Sequence, residues 1–248
     1  MRRGKYGSNV LREKTSSPKH VALLFASMIP VKTNLPIQLA RKPLHILCIG
    51  AHADDIEIGC GGTILKLLQT HPGSRVVWVV LTARGDRKKE ATKSASAFLR
   101  GAGSTKVVTK SFRESYLPYQ GKEVKEYFDT LPHLIDPDLI FTHYRHDLHQ
   151  DHRVVCELTW NTYHRHQILE YEIPKYDGDL GQPNVFVSLS DDVSQAKVKL
   201  LMKGFATQRS KRWFTEDTFY GLLRIRAIES PKSTKYAEAF YARKVVLE

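Results

Sequence analysis

Apolar and polar positions alternate in blocks along most of the chain. Two continuous apolar runs, Leu44–Gly50 and Arg75–Thr82, are typical of strands that are buried on both faces of a sheet. Shorter strands are predicted at Lys106–Lys110 and Asp138–His143. Helical patterns follow these strands at Gly59–Thr70, Lys88–Leu99, Lys122–Leu134 and Arg153–His166. Strands that alternate with helices predict an α/β fold with a mostly parallel sheet.

The C-terminal third predicts two more strands, Tyr171–Pro174 and Asn184–Leu189, and then two helices, Asp191–Phe205 and Thr215–Ile228. No internal repeat divides the chain. We therefore expect one domain over residues 44–248.

The positive charge is concentrated at the N-terminus. The formal net charge is +12, and residues 1–44 hold nine Lys and Arg side chains against Glu13 alone. We interpret residues 1–43 as a basic, poorly ordered N-terminal extension. No nucleic-acid-binding motif accompanies this charge, so no nucleic acid partner is expected. The apolar run Val21–Ile29 is too short to span a bilayer, and no transmembrane segment is predicted.

The cysteines indicate a reducing compartment. Cys48, Cys60 and Cys156 are too few and too widely spaced for a disulfide framework or a zinc knuckle. Their apolar neighbours predict small residues of the core. We therefore expect a cytoplasmic protein.

Two clusters of histidine and aspartate follow predicted strands. His52, Asp54 and Asp55 come directly after the first strand, and residues 143–152 contain four histidines and two aspartates. Because ligand sites in such sheets lie beyond the carboxyl ends of the strands, the two clusters are expected to converge. His52, Asp55 and His152 would then supply three ligands to one metal ion and leave a position for water.

The remaining cluster residues suit the chemistry of hydrolysis. A metal ion lowers the pKa of its bound water toward about 7, which provides a nucleophile at neutral pH. Asp54 is predicted to accept the proton of that water as the general base. A protonated His149 is predicted to stabilise the oxyanion, while Asp151 holds the His149 ring in the needed tautomer and raises its pKa.

Simpler interpretations exist for each feature. A pair of aspartates is more often a solvated turn or a helix cap. A receiver-type phosphoacceptor site also has paired aspartates after its first strand, but it leaves the second histidine cluster unexplained. Gly59, Gly61 and Gly62 lack the spacing of a dinucleotide fingerprint and are expected to serve close packing at a helix start.

The two clusters also resemble the motifs of a known family. The segment AHADDIEIGCGGT, at 51–63, is similar to the A-H-P-D-D-x-E-x-G-x-G-G-T motif of the PIG-L or LmbE-like deacetylases, and HDLHQDHR, at 146–153, is similar to their second motif. Ala53 stands where the family usually has proline, which leaves this loop less constrained. The resemblance implies a Rossmann-like fold with helices on both faces of the sheet, and zinc-dependent N-deacetylation of an amino sugar.

The resemblance implies roles for individual residues. The three predicted ligands match the family's metal ligands, Asp54 matches its general base, and His149 with Asp151 matches its oxyanion-stabilising pair. Arg87 lies where related enzymes have a substrate-contacting arginine, although a salt bridge with Glu90 is the simpler interpretation.

The identity of the metal and of the substrate stays open at this level. Zn²⁺ is the expected cofactor, and Fe²⁺ or Co²⁺ also suits His and Asp ligands. The expected partner is a small N-acetylated amino sugar, such as an N-acetylglucosamine conjugate, and the oligomeric state is left open, a homo-oligomer included. The alternatives are a metal-dependent amidase acting on a thiol conjugate or a non-sugar amide, and a catalytically silent metal-binding relative. Tyr116, Trp213 and Tyr220 are candidates for stacking on a sugar, with buried packing as the alternative.

Overall fold

One sheet organises the part of the chain that the structure describes. The structure is a computed structural model, and it describes Met1 and residues 42–245. Seven strands lie in that part: β1 His45–Gly50, β2 Arg75–Val80, β3 Ser104–Thr109, β4 Leu139–His143, β5 Gln167–Tyr171, β6 Val185–Leu189 and β7 Tyr236–Tyr241. Their order across the sheet is β3-β2-β1-β4-β5-β7-β6. Strands β1 to β5 are parallel, and β7 runs antiparallel to its neighbours β5 and β6.

Helices cover both faces of this sheet. The described α-helices are α1 Asp55–Thr70, α2 Gly85–Phe98, α3 Gly121–Phe128, α4 Gln150–Thr162, α5 Asp191–Gly204 and α6 Glu216–Glu229. In β1, Ile46 and Cys48 pack into the core formed with α1, α2, α5 and α6. Leu47 and Ile49 pack into the second core, on the side of α3 and α4. Because both faces of the strand are buried, its sequence is continuously apolar.

The predicted α/β fold, a Rossmann-like and mostly parallel sheet with helices on both faces, is confirmed. The chain builds outward from β1 to β2 and β3, and then crosses to the other side of β1 to form β4. The strand order therefore reverses between β1 and β4. In open α/β sheets, a cleft forms at the carboxyl ends of the strands at such a reversal.

Some helix bounds differ from the prediction. Helix α1 begins at Asp55 and not at Gly59, so the first aspartate-rich motif runs into the first helical turn. The helix predicted over Lys122–Leu134 ends at Phe128, and Pro132 lies in a separate 3-10 turn. Proline lacks the amide hydrogen that a continuing α-helix needs, which explains the interruption.

The strand predicted at Tyr171–Pro174 is wrong, because β5 ends where that prediction begins. Residues Gln167–Tyr171 pair with β4 along its whole length, and this pairing decides the position of the strand. The last strand, Tyr236–Tyr241, was not predicted, and it completes the sheet between β5 and β6.

Most of the basic N-terminal extension predicted at 1–43 lies outside the described residues, as does the apolar run Val21–Ile29. At the start of the continuous described part, the Lys42 ammonium pairs with Asp138 at 3.0 Å. None of the helices described has the length and hydropathy that a bilayer crossing requires.

Candidate active site

The first motif lies in a tight turn between β1 and α1. The His52 amide donates to Asp55 Oδ2 at 2.6 Å across this turn. A Cβ atom on Gly50 would lie 2.9 Å from the side chain of Ile56, so a larger residue there would crowd the turn. The turn brings His52 and Asp55 together at the carboxyl end of β1.

The second motif reaches the same cleft from β4. Strand β4 ends at His143, and His149 is the N-cap of α4, whose first turn carries Asp151 and His152. Since β1 and β4 are parallel neighbours, α1 and α4 begin at the same edge of the sheet.

Three donor atoms converge in this cleft. His52 Nδ1 lies 3.4 Å from Asp55 Oδ2 and 3.0 Å from His152 Nε2. Asp55 Oδ2 and His152 Nε2 are 3.5 Å apart. Ligands that hold one zinc ion tetrahedrally at about 2.1 Å lie about 3.4 Å from one another. All three side chains are buried. The triangle formed by His52 Nδ1, Asp55 Oδ2 and His152 Nε2, which we call the donor triangle, fits a single metal ion.

The two imidazoles differ in protonation when no metal is bound. Burial alone would lower the pKa of His52, but the carboxylates of Asp55 and Asp151 outweigh it and raise that pKa to about 10. Burial lowers the pKa of His152 to about 3, so its ring is neutral. In the metal-free protein, His52 therefore donates from Nδ1 to His152 Nε2, and one proton lies where the donor atoms converge.

Each of the two imidazoles is also held from behind by a carboxylate. His52 Nε2 lies 3.2 Å from Asp151 Oδ2, and His152 Nδ1 lies 2.9 Å from Asp147 Oδ2. A carboxylate can only accept a hydrogen bond, so it keeps a proton on His52 Nε2 and on His152 Nδ1. Neutral His152 therefore has its lone pair on Nε2, and His52 would gain one on Nδ1 by losing its second proton when a metal binds.

A further histidine, His143, lies beneath Asp55 and was not predicted to be functional. Its Nε2 atom is 3.1 Å from Asp55 Oδ2, and its ring stacks on His152 at a centroid distance of 3.9 Å. Asp55, His143 and His152 form a group close enough to hold a metal ion. We favour His52 over His143 as the third ligand because His143 Nε2 accepts the Ala51 amide at 3.0 Å, away from the open pocket.

Asp54 has one oxygen bound and one oxygen free. Its Oδ1 accepts from the Arg87 guanidinium at 2.7 Å, whereas the buried Oδ2 has no hydrogen-bond partner. Burial raises the pKa of Asp54, and the positive charge of Arg87 opposes this rise. The Glu90 carboxylate, 3.7 Å from Arg87, adds a looser salt bridge. Asp54 lines the pocket, and its unpartnered oxygen is able to accept a proton.

His149 and Asp151 differ from the predicted pairing. The Asp151 carboxylate contacts His52 and not His149, and His149 Nδ1 instead accepts the backbone amide of Asp151 at 3.2 Å. Asp151 still raises the pKa of His149 through its charge, but burial and the positive charge of His52 prevail and lower that pKa. The ligand atom of His149 lies within 4.8 Å of those of His52 and His152. The structure thus places a neutral His149 beside the donor triangle.

The residues of both motifs open into one pocket of about 200 Å³. Its lining consists of His52, Asp54, Asp55, Arg87, Glu114, His149, His152, Ile173, Lys175, Tyr176, Asp177, Lys211 and Trp213. Of the three aromatic residues suggested from the sequence, Trp213 lines this pocket, while Tyr220 packs against Tyr236 elsewhere. Tyr116 is exposed beside Arg113.

Several residues of the site were missed in the sequence. Asp147 lies in the segment 143–152, whose high content of histidine and aspartate could have marked this residue as part of the site. Glu114 and Lys175 lie in the segments after β3 and β5, where only the position beyond a strand end hints at a site.

Fold and site together define a class: α/β proteins with a His and Asp cluster where the strand order reverses. Within that class, residues 47–163 match the family model of PIG-L, the GlcNAc-PI de-N-acetylases. Over these residues, which make up just under half of the chain, the protein is similar to the PIG-L or LmbE-like deacetylases.

Two proteins that the chain is similar to are named as deacetylases. The chain is 29% identical to the uncharacterized deacetylase YaiS of Escherichia coli (strain K12) over 177 residues, which are 66% of this chain and 92% of that protein. The N,N'-diacetylchitobiose deacetylase of Pyrococcus horikoshii is 21% identical, with a TM-score of 0.63 over 94% of each chain.

The same fold also carries a different reaction. The 4-carboxy-2-hydroxymuconate hydratase of Pseudomonas putida KT2440 has a TM-score of 0.65 at 16% identity, and the match covers 83% of this chain and 98% of that one. At such low identity, the likeness to the two solved structures establishes the fold. The reaction has to be argued from the site.

Proposed function

We propose that this protein is a metal-dependent hydrolase that removes the N-acetyl group from an amino sugar of the N-acetylglucosamine type or from its conjugate. One observation carries the proposal: the donor triangle of His52, Asp55 and His152 lines the same pocket as Asp54, whose Oδ2 has no hydrogen-bond partner. A catalytic metal site needs these two parts, three protein ligands and an adjacent proton acceptor.

The triangle would hold Zn²⁺, and Fe²⁺ or Co²⁺ suits the same ligands. When bound, the metal would supply Lewis acidity toward the amide carbonyl and an acidified water as nucleophile. Asp54 Oδ2 would take the proton of that water and deliver it to the leaving amine. Arg87 holds the other oxygen of Asp54 and so leaves Oδ2 as the oxygen without a partner.

His149 would stabilise the oxyanion as a neutral hydrogen-bond donor. Because its Nδ1 accepts the Asp151 amide, the proton of the neutral ring is assigned to Nε2. A donor already oriented toward developing negative charge lowers the barrier without a raised pKa. Asp151 would act by orienting His52, which its carboxylate contacts at 3.2 Å.

Arg87 would also contact the substrate. The Arg87 side chain lines the pocket, and its second terminal nitrogen, Nη1, is buried, lies 3.7 Å from Glu90 Oε2 and has no hydrogen-bond partner. A buried guanidinium nitrogen of this kind is available to a sugar hydroxyl. Trp213 and Tyr176 line the same pocket and offer faces for stacking on a sugar ring.

An acetate-release assay tests the proposed function. The full chain would be stripped of metal, reloaded with Zn²⁺, Fe²⁺ or Co²⁺, and mixed with N-acetylglucosamine, its oligomers and its glycoside conjugates. We expect stoichiometric release of acetate and a free amine with at least one sugar. Release only from thiol conjugates or non-sugar amides would favour the alternative amidase, and no release by metal-loaded protein would favour a silent relative.

We further propose a small-molecule substrate and a cytoplasmic location. The pocket volume of about 200 Å³ matches one sugar unit better than a macromolecular surface. Cys48, Cys60 and Cys156 are free and buried, which suits a reducing compartment.

A further inference from the structure

The Asp147 side chain is buried, and each of its oxygens has a partner. Asp147 Oδ2 lies 2.9 Å from His152 Nδ1 and 2.9 Å from the Lys175 ammonium. Asp147 Oδ1 accepts the backbone amide of His149 at 2.8 Å. The carboxylate is therefore held by three hydrogen-bonding partners. Of these, only His152 belongs to the donor triangle.

Lys175 connects this carboxylate to the wall of the pocket. Its ammonium contacts Asp147 and also lies 2.5 Å from Asp179 Oδ2, in the segment after β5. Asp179 Oδ2 accepts the Leu148 amide at 2.7 Å. The Lys175 side chain is only 10% exposed, so its ion pairs are largely shielded from water. They hold the segment after β4 against the segment after β5.

The hydrogen bonds on Asp147 determine which His152 nitrogen faces the triangle. A carboxylate with no proton accepts from His152 Nδ1, so Nδ1 is protonated and Nε2 keeps its lone pair. Carboxylates that hold ligand histidines in this way orient the ring and increase its basicity. Without Asp147, the ring would be free to rotate or to place its proton on Nε2, where it would block the metal.

We propose that Asp147 and Lys175 are positioning residues for the metal ligand His152, so that the pocket wall at Lys175 contributes to the affinity for a divalent metal. This inference rests on the proposed metal site and assigns two residues outside the ligand set. Asp147 acts on His152 directly. Lys175 acts through Asp147, by holding the carboxylate in place.

Metal affinity tests this proposal without reference to turnover. The dissociation constant for Zn²⁺ would be measured by competition with a chromophoric chelator, for the wild type and for Asp147→Asn. An amide has one oxygen in place of two, so it cannot accept both at the position of Oδ1, from the His149 amide, and at the position of Oδ2, from His152. We expect Zn²⁺ binding weakened about 10- to 100-fold. Unchanged affinity would overturn the proposal.

A matched control comes from a second carboxylate–histidine pair outside the pocket. His166 Nε2 lies 3.0 Å from Asp136 Oδ1, in a pair whose carboxylate is exposed. Asp136→Asn removes the same kind of contact and should leave Zn²⁺ affinity unchanged. Weakening equal to that of Asp147→Asn would mean that the effect is not specific to the site.

A double-mutant cycle tests the role of Lys175. We expect Lys175→Met to weaken Zn²⁺ binding less than Asp147→Asn does, and to add nothing when Asp147 is already Asn. Additive effects of the two substitutions would show that Lys175 does not act through Asp147, against the proposal.

One measurement uses the wild type alone, in case a variant fails to fold. Nitrogen chemical shifts of the Zn²⁺-loaded protein report the tautomer of His152, which we expect to carry its proton on Nδ1. A proton on Nε2 would contradict the assigned role of Asp147. If the wild type binds no divalent metal, the proposed metal site fails as well, whereas equal binding by wild type and Asp147→Asn overturns only this inference.

Discussion

His52 and Asp151 are 99 positions apart in the chain, and the His52 Nε2 and Asp151 Oδ2 atoms meet at 3.2 Å. Asp151 also accepts the backbone amides of Ser115, at 2.6 Å, and Leu117, at 3.0 Å. One carboxylate from α4 therefore orients a histidine that follows β1 and anchors the segment that follows β3. Three segments of the chain share this single buried group.

The first prediction concerns that shared role of Asp151. In Asp151→Asn, one acceptor oxygen cannot replace the two that Ser115, Leu117 and His52 use. We expect metal affinity to fall by about 10- to 100-fold and hydrogen exchange of residues 113–117 to become faster. Chelator competition and exchange mass spectrometry would measure the two effects. Asp129→Asn, in an exposed ion pair with Lys125, is the control and should change neither.

The second prediction separates proton transfer from metal binding. Asp54 is adjacent to the ligands but is not part of the donor triangle, and its Oδ2 has no partner. Asp54→Ala should keep Zn²⁺ affinity and reduce kcat by about 10²- to 10⁴-fold, the range for loss of a general base. Asp86→Ala, which removes an exposed carboxylate paired with Lys89, should leave kcat unchanged. A kcat retained by Asp54→Ala would refute the base assignment.

The third prediction concerns Arg87, which lines the pocket, holds Asp54 at 2.7 Å and has one terminal nitrogen without a hydrogen-bond partner. Arg87→Met should lower kcat/KM by about 10- to 100-fold, since a hydrogen bond to a charged group contributes about 1.5 to 3 kcal/mol. We expect both a lower kcat, from misplacement of Asp54, and a higher KM, from loss of the sugar contact. Lys88→Met changes the neighbouring exposed cation and should alter neither parameter. An unchanged KM would remove the substrate contact from the role of Arg87.

The fourth prediction concerns the pH dependence of stability. Glu57 is fully buried, and burial raises its pKa from 4.5 to about 8. Between those two values the folded protein binds the Glu57 proton and the unfolded chain does not. The stabilising contribution of Glu57 to the free energy of unfolding is therefore complete below pH 4.5, and it is lost as pH rises toward 8.

Glu57→Gln keeps the shape of the side chain and removes its titration. In the metal-free protein, the variant should become more stable than the wild type as pH rises, by on the order of a few kcal/mol at pH 9. The free energy of unfolding by urea, measured from pH 5 to 9, would show the divergence. Glu123→Gln, at an exposed position of α3, is the matched control and should follow the wild type. Parallel curves for wild type and Glu57→Gln would rule out this account of Glu57.

Much of the fold could be predicted because its signals are local. A strand such as β1 is buried on both faces, so consecutive residues must be apolar, and this is visible without any partner strand. The two polar clusters were visible for the same reason, since each follows a strand directly in the chain. The position of β5 was less predictable, because pairing with β4 decides it, and β7 depends on contacts with strands far away in the sequence.

The sequence by itself determined the fold class and the candidate ligands His52, Asp55 and His152, because both depend on residue type and on position after a strand. The tertiary structure alone decided which carboxylate faces which imidazole: Asp151 faces His52, Asp147 faces His152, and Lys175 closes the network. A hydrogen bond forms over a few tenths of an ångström and a narrow range of angles. Such distances follow from helix placement and side-chain rotamers, which no spacing along the chain encodes.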